Sequence, residues 1–396
     1  MIGGGAAGFF AAIHAAGSNT EVCIYEKTSK LLSKVKISGG GRCNVTHRPL
    51  ETSKLVKNYP RGEKFLKRVF PKFSSQETMD WFEKRGVALK IESDGRVFPV
   101  SDSSQSIINA LMDEAKKLSI RIQVSTQVKD ILADENGFQL ITNKGDILAD
   151  KLIIAAGGNP KLDGFNFLNH LKHDIESPIP SLFTFNTPGE IIRELMGISF
   201  PDSQVKLSGT KLNYRGPVLI THWGISGPAV LKLSAFGAKW LFEQKYKSEA
   251  IINWNAEMGE EDYLRDLTGF MEKYPKRKLQ KYPLFGIPGR FWVHLCERAG
   301  IKEDIPSGQI SKKNRNKLVQ SLFCYVLPIN GKTTFKEEFV TSGGVTLSGV
   351  NPETMESKNH PNLFFAGEVL DIDGITGGFN FQAAWSTGYL AGKSCN

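Results

Sequence analysis

Three glycines near the start constrain this chain more than any other feature. Gly3, Gly5 and Gly8 of MIGGGAAGFF follow the spacing G-x-G-x-x-G, which belongs in the turn between a buried strand and a helix. The first glycine permits a tight turn, the second lets a pyrophosphate approach the backbone, and the third lets helix pack closely on strand. The helix that follows offers unpaired N–H groups and a positive dipole end to phosphate. Ala6 and Ala7 are small enough to keep that approach open. Only Met1 and Ile2 precede the glycines, so the strand is expected to be a stub, shortened by a late start or by trimming.

The next residues supply the rest of a nucleotide-binding unit. FFAAIHAAG reads as a short helix stopped by Gly17, with His14 a packed or surface side chain. EVCIYEK (21–27) has the β-branched and aromatic content of a buried strand, and it ends on Glu26 and Lys27. Glu26 lies 18 positions after Gly8, close to the roughly 20 expected between these glycines and a ribose-binding acid.

A second glycine cluster, KISGGGRCNVT (36–46), suits a loop whose backbone lies against a flat or anionic ligand. In it Arg42 is expected to act as a charged partner. GRVFP (95–99) precedes an amphipathic helix capped by Asp102 or Ser103. Short strands are predicted around IRIQV, QVKDIL, GFQLIT and DILA, the last two joined by a hairpin turn at Asn143-Lys144-Gly145. ADKLIIAAGG (149–158) reads as a core strand whose end, at Ala156 and Gly157, is small enough to pass beneath a cofactor.

From about residue 181 the pattern becomes short strands with Gly/Pro turns, through KLNYRGPVLITHWGISGPAVLKLSAF. Residues from about 255 to 325 turn polar and helical. They carry two basic runs, KYPKRKLQK (273–281) and SKKNRNK (311–317), which are solvated helix faces or phosphate contacts.

The C-terminal stretch returns to the first style. NLFFAG is a buried strand ending at Gly367, followed by the acids Glu368 and Asp371. GITGGFN then leads into a small-residue helix. A strand, a glycine loop and a helix N-terminus thus recur at the opposite end of the sequence. A ligand touching both ends is better explained by FAD than by a mononucleotide, with the last helix facing the flavin edge where negative charge collects on reduction.

Bulk properties narrow the class. The chain has 396 residues, long for a single core. Its five cysteines are scattered without C-x-x-C spacing. That argues against a disulfide framework and against a metal site, and suits a reducing cytoplasm. No signal peptide and no membrane-spanning run is read. The net charge of +9 fits attraction to phosphates, carboxylates or nucleic acid, or simple solubility.

GGGAAG (3–8), SGGGRCN (38–44), GRVFP (95–99), THWGISGPAVL (221–231), TSGGV (341–345) and AGEVLDIDGITGGFNFQAAWSTG (366–388) together resemble the BaiN/YhiN-like bacterial flavoproteins. These are NAD(P)/FAD-dependent oxidoreductases, sometimes called aminoacetone-oxidase-like. The motifs occur in family order across almost the whole chain. The resemblance implies an α/β fold with a split FAD-binding Rossmann-type domain, carrying inserted β-rich and helical subdomains. The expected partition is 1–185 and 329–396 for the FAD-binding domain, 186–254 for the β-rich insertion and 255–328 for the helical one.

By the same resemblance, Gly5, Ala7 and Gly8 lie under the pyrophosphate and Glu26 takes the adenosine ribose, with Gly3, Ala6 and Lys27 among the cofactor-binding residues. Val128 offers backbone groups to the adenine. Ser38, Gly39, Gly40, Gly41, Arg42, Cys43 and Asn44 line the pyrophosphate–flavin side, with Ala156 and Gly157 beneath. Gly367, Glu368 and Asp371 approach the ribityl and pyrophosphate, while Gly377, Gly378, Phe379 and Asn380 cover the isoalloxazine.

The expected chemistry is hydride transfer through flavin N5, with NAD(P)H as a transient donor because no second G-x-G-x-x-G exists. The expected substrate is a small molecule, an enone-type C=C bond by family analogy, seated against THWGISGP and TSGGV. Cys43, His222 and Tyr214 are the candidate proton donors. Two other classes stay open: an FAD-dependent enzyme acting on RNA, and a flavin-binding sensor or scaffold without turnover.

Overall fold

Ile2 by itself fills the place of a central strand. It bridges in parallel to Tyr25 on one side and Ile154 on the other. Its N–H donates to Ile153 O at 2.9 Å and its carbonyl accepts from Ala155 N at 2.8 Å. The flanking ladders are Cys23–Tyr25 with Arg121–Gln123, and Leu152–Ile154 with Leu363–Phe365, all parallel. The order across this sheet is therefore 121–123, 23–25, Ile2, 152–154, 363–365. The two ends of the sequence meet in it, and Ile24, Ile154, Leu363 and Phe365 are wholly buried, as a sheet covered on both faces requires.

This computed structural model describes residues 1–17, 20–333 and 340–396. The chain forms two units, Met1–Ser181 with Phe335–Asn396, and Leu182–Thr334. Residues 334–339, at the start of the expected return segment, lie outside the described residues.

In the first unit the opening helix (Ala6–Ala15) packs on the closing one (Phe379–Cys395). The packing is close because Gly388 and Gly392 recur one turn apart. A Cβ on Gly388 would stand 2.8 Å from Ala7 O, and one on Gly392 2.4 Å from Ala11 O. Phe9, Phe10, Phe82 and Trp385 fill the core beneath, all fully buried. His14 is a packed side chain bonded to Phe10 O at 2.7 Å, and burial pulls its pKa down to about 4.

Ser103 is the cap of the helix Ser104–Lys117, its Oγ accepting from Gln105 N. The meander Val128–Asp134, Gly137–Thr142 and Gly145–Ala149 includes the expected tight turn, with Thr142 paired to Gly145. Ile175–Ser181 pairs antiparallel with Val340–Val345.

The Ile2 pairing carries a prediction. The Met1 amino group donates to Cys23 O at 2.9 Å, where a peptide N–H would continue the ladder, and burial lowers its pKa to about 6. Four Ile/Val residues placed before Met1 replace that desolvated amine with an amide and bury about 1.5–3 kcal/mol per side chain. The thermal midpoint is expected to rise by about 5 °C or more. An unchanged midpoint would show that Ile2 already completes the sheet.

The second unit is built on a seven-stranded sheet, ordered 325–330, 247–253, 199–207, 213–221, 224–226, 184–186, 332–333. Helices Glu260–Lys273, Gly289–Arg298 and Lys312–Phe323 share its core with Trp254, Trp292 and Phe291. One expected strand is a helix. PAVLKLSAF runs helically from Pro228 to Phe236 behind Gly227 at φ 103°. Proline at the first helical position has its φ preset, and the following Ala and Leu residues favour helix.

Candidate cofactor site

The three fingerprint glycines have three different surroundings. Gly3 sits at φ 109°, and a Cβ there would lie 2.3 Å from Ala155 O. A Cβ on Gly8 would lie 1.9 Å from Gly3 O. Both positions are closed by backbone, so they serve the turn and the packing of helix on strand. Gly5 is different: a Cβ there meets nothing within 4 Å. Gly5 also caps the opening helix without a side-chain hydrogen bond, and no acid lies in the first turn. The first N–H groups of that helix have no side-chain partner at the cap, and open space lies beside Gly5.

Glu26 closes one side of this turn. Its carboxylate accepts from Gly4 N at 2.9 Å and from Thr28 N and Oγ1 at 2.8 and 2.9 Å. Lys27 beside it is exposed, and Val128 is buried at the start of its strand.

The second glycine cluster begins as a helix, Ser33–Gly41, and leaves helical angles at Ser38. Gly39, Gly40 and Gly41 follow at φ 58°, 69° and 84°, conformations in which successive N–H groups form an anion-binding concavity. A Cβ on Gly39 would strike Phe98, whereas Gly40 and Gly41 face open space. Gly157 at φ 78° is equally open, and Ala156 is exposed.

Arg42, expected as a charged partner of the ligand, has partners within the protein. It pairs with Glu92 at 2.7 Å and Asp102 at 3.4 Å, and lies 3.9 Å over the Phe98 ring. Its charge is met within the protein, which ties the glycine loop to the 89–102 segment.

The C-terminal segment joins this cradle through specific contacts. Lys34 pairs with Glu368. A Cβ on Gly367 would touch Ala7 Cβ at 2.7 Å, and one on Gly158 would lie 3.5 Å from Glu368 O. Asp371 accepts from Gly343 N at 2.9 Å, which fixes TSGGV. Gly378, at φ 88°, caps the last helix with no side-chain bond and no acid in its first turn. Asn44 links the two glycine loops: its amide donates to Thr46 O and accepts from Gly378 N, each at 2.9 Å. Asn380 holds Gly374 by both N–H and carbonyl, at 2.8 and 2.9 Å. Phe379 stacks on His47 with ring centroids 4.9 Å apart.

Beneath the loop lies a buried ion pair whose arginine stands outside every motif of the sequence. Arg61 forks onto Asp373, with Nε 2.5 Å from Oδ1, and Ser181 Oγ donates to Asp373 Oδ2 at 2.7 Å. Asp373 has no exposed surface. Burial lifts its pKa to about 6, against the opposing pull of Arg61 and Ser181 and with help from the nearby Asp371 charge. Tyr59 OH donates to Phe379 O at 2.7 Å, and Gln382 Oε1 accepts from Thr46 and Thr78 below the helix start. The asparagine, arginine and tyrosine contacts thus hold the 371–380 turn from several sides.

The three candidate proton donors divide between the two units. The Cys43 thiol is wholly buried in the core of the first unit, and desolvation pushes its pKa up to about 12. Such a thiol packs rather than reacts. Tyr214 and His222 belong to the second unit. Tyr214 is half-buried against Phe236 under the Lys232 ammonium, and burial raises its pKa. His222 lies beside Trp223, its carbonyl accepting from Arg193 at 2.7 Å.

Comparison with known proteins gives consistent relatives. The profile of the HI0933-like protein Rossmann domain matches residues 1–394. A 3-dehydro-bile acid delta(4,6)-reductase of Clostridium scindens is 28% identical, the match covering 100% of this chain and 98% of the relative. A ribosomal RNA dihydrouridine synthase of Escherichia coli is 29% identical over 99% of this chain and 96% of its own length. Among solved structures, the 3-ketosteroid-delta4-(5alpha)-dehydrogenase of Rhodococcus jostii superposes with a TM-score of 0.52 at 16% identity, covering 100% of this chain and 95% of that one. This last likeness is one of fold.

Proposed function

The chain belongs to the HI0933-like Rossmann flavoprotein family, a family of FAD-dependent oxidoreductases, and from that premise we propose that it reduces a carbon–carbon double bond conjugated with a carbonyl. The observation that carries the cofactor assignment is the opening glycine turn: Gly5 starts a helix with no side-chain cap and no acid in its first turn, and open space lies before it, as it does before Gly40 and Gly41. FAD, when bound, supplies hydride transfer through its N5.

The chain's own residues do the rest. Gly5 and the helix behind it offer N–H groups to the pyrophosphate, as do Gly40 and Gly41. Glu26 is oriented by the Gly4 and Thr28 N–H groups to accept from ribose hydroxyls. Gly378 and the last helix place a positive dipole end where negative charge develops. NADPH or NADH is the proposed electron donor.

Both curated relatives quoted above bear names that describe such a reduction, one on a steroid skeleton and one on uridine. A small-molecule enone is the first reading of the substrate. Uridine within RNA is the second. It is favoured by the net charge of +9 and by the two basic runs in the second unit.

The test supplies the FAD-loaded protein with NADPH under anaerobic conditions, together with either a 3-oxo-4-ene steroid or unmodified ribosomal RNA. Saturation of one substrate's double bond, with stoichiometric loss of NADPH, is expected. Donor oxidation by neither substrate and no saturated product would overturn the proposal.

A further inference from the structure

Two basic runs, 273–281 and 311–317, come together on one end of the second unit. Residues 273–281 carry five lysines or arginines and no carboxylate. They follow the helix Glu260–Lys273, which lies antiparallel to Lys312–Phe323: Gln320 bonds Glu260, and Arg315 Nη1 donates to Thr268 Oγ1 at 3.2 Å. The start of the second helix is thereby set at the end of the first. Ser307 N donates to Arg277 O and Ser307 Oγ to Tyr274 O, each at 2.7 Å, and Gly308 N donates to Pro275 O at 3.0 Å. These bonds bind the segment before Lys312 to the 274–278 loop.

The charges at this end are not answered within the protein. Among the described residues, none of Lys273, Lys276, Lys278, Lys312 and Lys313 has a carboxylate at ion-pair distance, and all are exposed. Glu303 meets Lys281 alone, at 3.6 Å. Lys312 and Lys313 also open a helix whose first turn holds no acid. Cations at a helix N-terminus oppose the dipole, so this arrangement does not serve helix stability.

Aromatic faces accompany the charge. The Arg277 guanidinium lies 4.1 Å from the Tyr274 ring centroid and 4.7 Å from that of Tyr282, which is 38% exposed. A cluster of exposed cations beside the partly exposed Tyr282 ring, which already carries a guanidinium, fits a single-stranded nucleic acid, because phosphates meet the cations while a base stacks on the aromatic side chain.

We propose that this end of the second unit, the 273–282 loop with the start of the helix at Lys312, is a docking surface for RNA. The inference rests on the RNA reading of the substrate given above and adds where the RNA is held. It separates holding from chemistry, since the surface contains none of the residues of the glycine cradle.

The test uses the full chain with FAD and a fluorescein-labelled RNA of about 20 nucleotides, longer than one stacking site. Wild type is compared with a fourfold variant, Lys276→Gln, Lys278→Gln, Lys312→Gln and Lys313→Gln, and with Tyr282→Ala and Tyr282→Phe. The wild-type affinity is expected to fall steeply with salt. In the fourfold variant the log–log salt slope is expected to shrink by about 3, and binding at roughly 0.1 M salt to weaken at least about thirtyfold. Tyr282→Ala is expected to weaken binding roughly tenfold and Tyr282→Phe to restore it. FAD content, thermal midpoint and the rate of flavin reduction by NADPH stay as in wild type.

If wild type binds RNA and the fourfold variant binds equally well, the surface is overturned and the RNA reading stands. If wild type binds no RNA at about 50 mM salt, where phosphate contacts are strongest, the RNA reading falls with it. Patch-dependent binding to phosphatidylserine vesicles, with RNA binding unaffected, also overturns the proposal.

Discussion

Gly5→Val is expected to leave the chain folded and unable to hold FAD. Gly5 sits at φ −95° and ψ −170°, angles that valine adopts without strain, and a Cβ there meets nothing within 4 Å. The isopropyl group then occupies space that the pyrophosphate needs and covers the N–H groups of the helix start. A loss of at least about 100-fold in FAD affinity is expected, with the thermal midpoint of the FAD-free protein moved by no more than about 2 °C. Gly8→Ala is the contrast. Its Cβ would fall 1.9 Å from Gly3 O, so the helix must shift away from its strand and the FAD-free protein itself loses stability. Fluorescence titration of FAD and thermal unfolding of the apo forms separate the two. A Gly5→Val protein with wild-type FAD affinity would remove the pyrophosphate from this turn.

Arg61→Met is expected to cost about 3–5 kcal/mol, because it strands Asp373 in a site without solvent. The cost depends on pH, and its sign follows from burial. The Asp373 pKa is already raised to about 6 from an ordinary value of 3.8. The native state therefore holds the proton more tightly than the unfolded chain, and this carboxyl's contribution to stability is greatest below about pH 4. It declines as pH rises through 6 and is level above that. Without Arg61 the carboxyl rises further. The variant should then differ little from wild type at pH 5 and be far less stable at pH 8. Urea unfolding at the two pH values measures it, and an equal loss at both would mean that Asp373 is not the group left unpaired.

The parts of the fold legible in the sequence are those where local pattern and backbone demand coincide. The glycine spacing, the acid closing the 23–25 strand and the small-residue helix at the end each announce a backbone requirement, so the Rossmann-type unit could be read from both termini. The helix at Pro228 has no helical stripe to mark it in the sequence: one face packs on the sheet, and alanine, leucine and serine spread around it. The ion pairs of Arg42 are hidden for another reason. Its partners Glu92 and Asp102 lie 50 and 60 residues away, and no periodicity links them.

Arg61, Asp373 and Ser181 show the same limit more strongly. Asp373 stands in DIDG beside a glycine loop and could have been noticed. Its arginine lies 312 residues away in a stretch without a motif. The convergence of the two basic runs also depends on tertiary structure, since the antiparallel pairing of two helices brings them together. Spacing along the chain reports what a backbone must do; it does not report which distant charge will answer a given side chain.

Glycines from both ends of the chain are expected to form one FAD site. Calorimetric titration of the FAD-free full-length protein with FAD tests it most directly. Roughly one FAD per chain is predicted, bound exothermically in wild type and absent in Gly5→Val, with the isoalloxazine absorbance shifted on binding. A wild-type chain that is folded by circular dichroism and takes up no FAD would contradict the account.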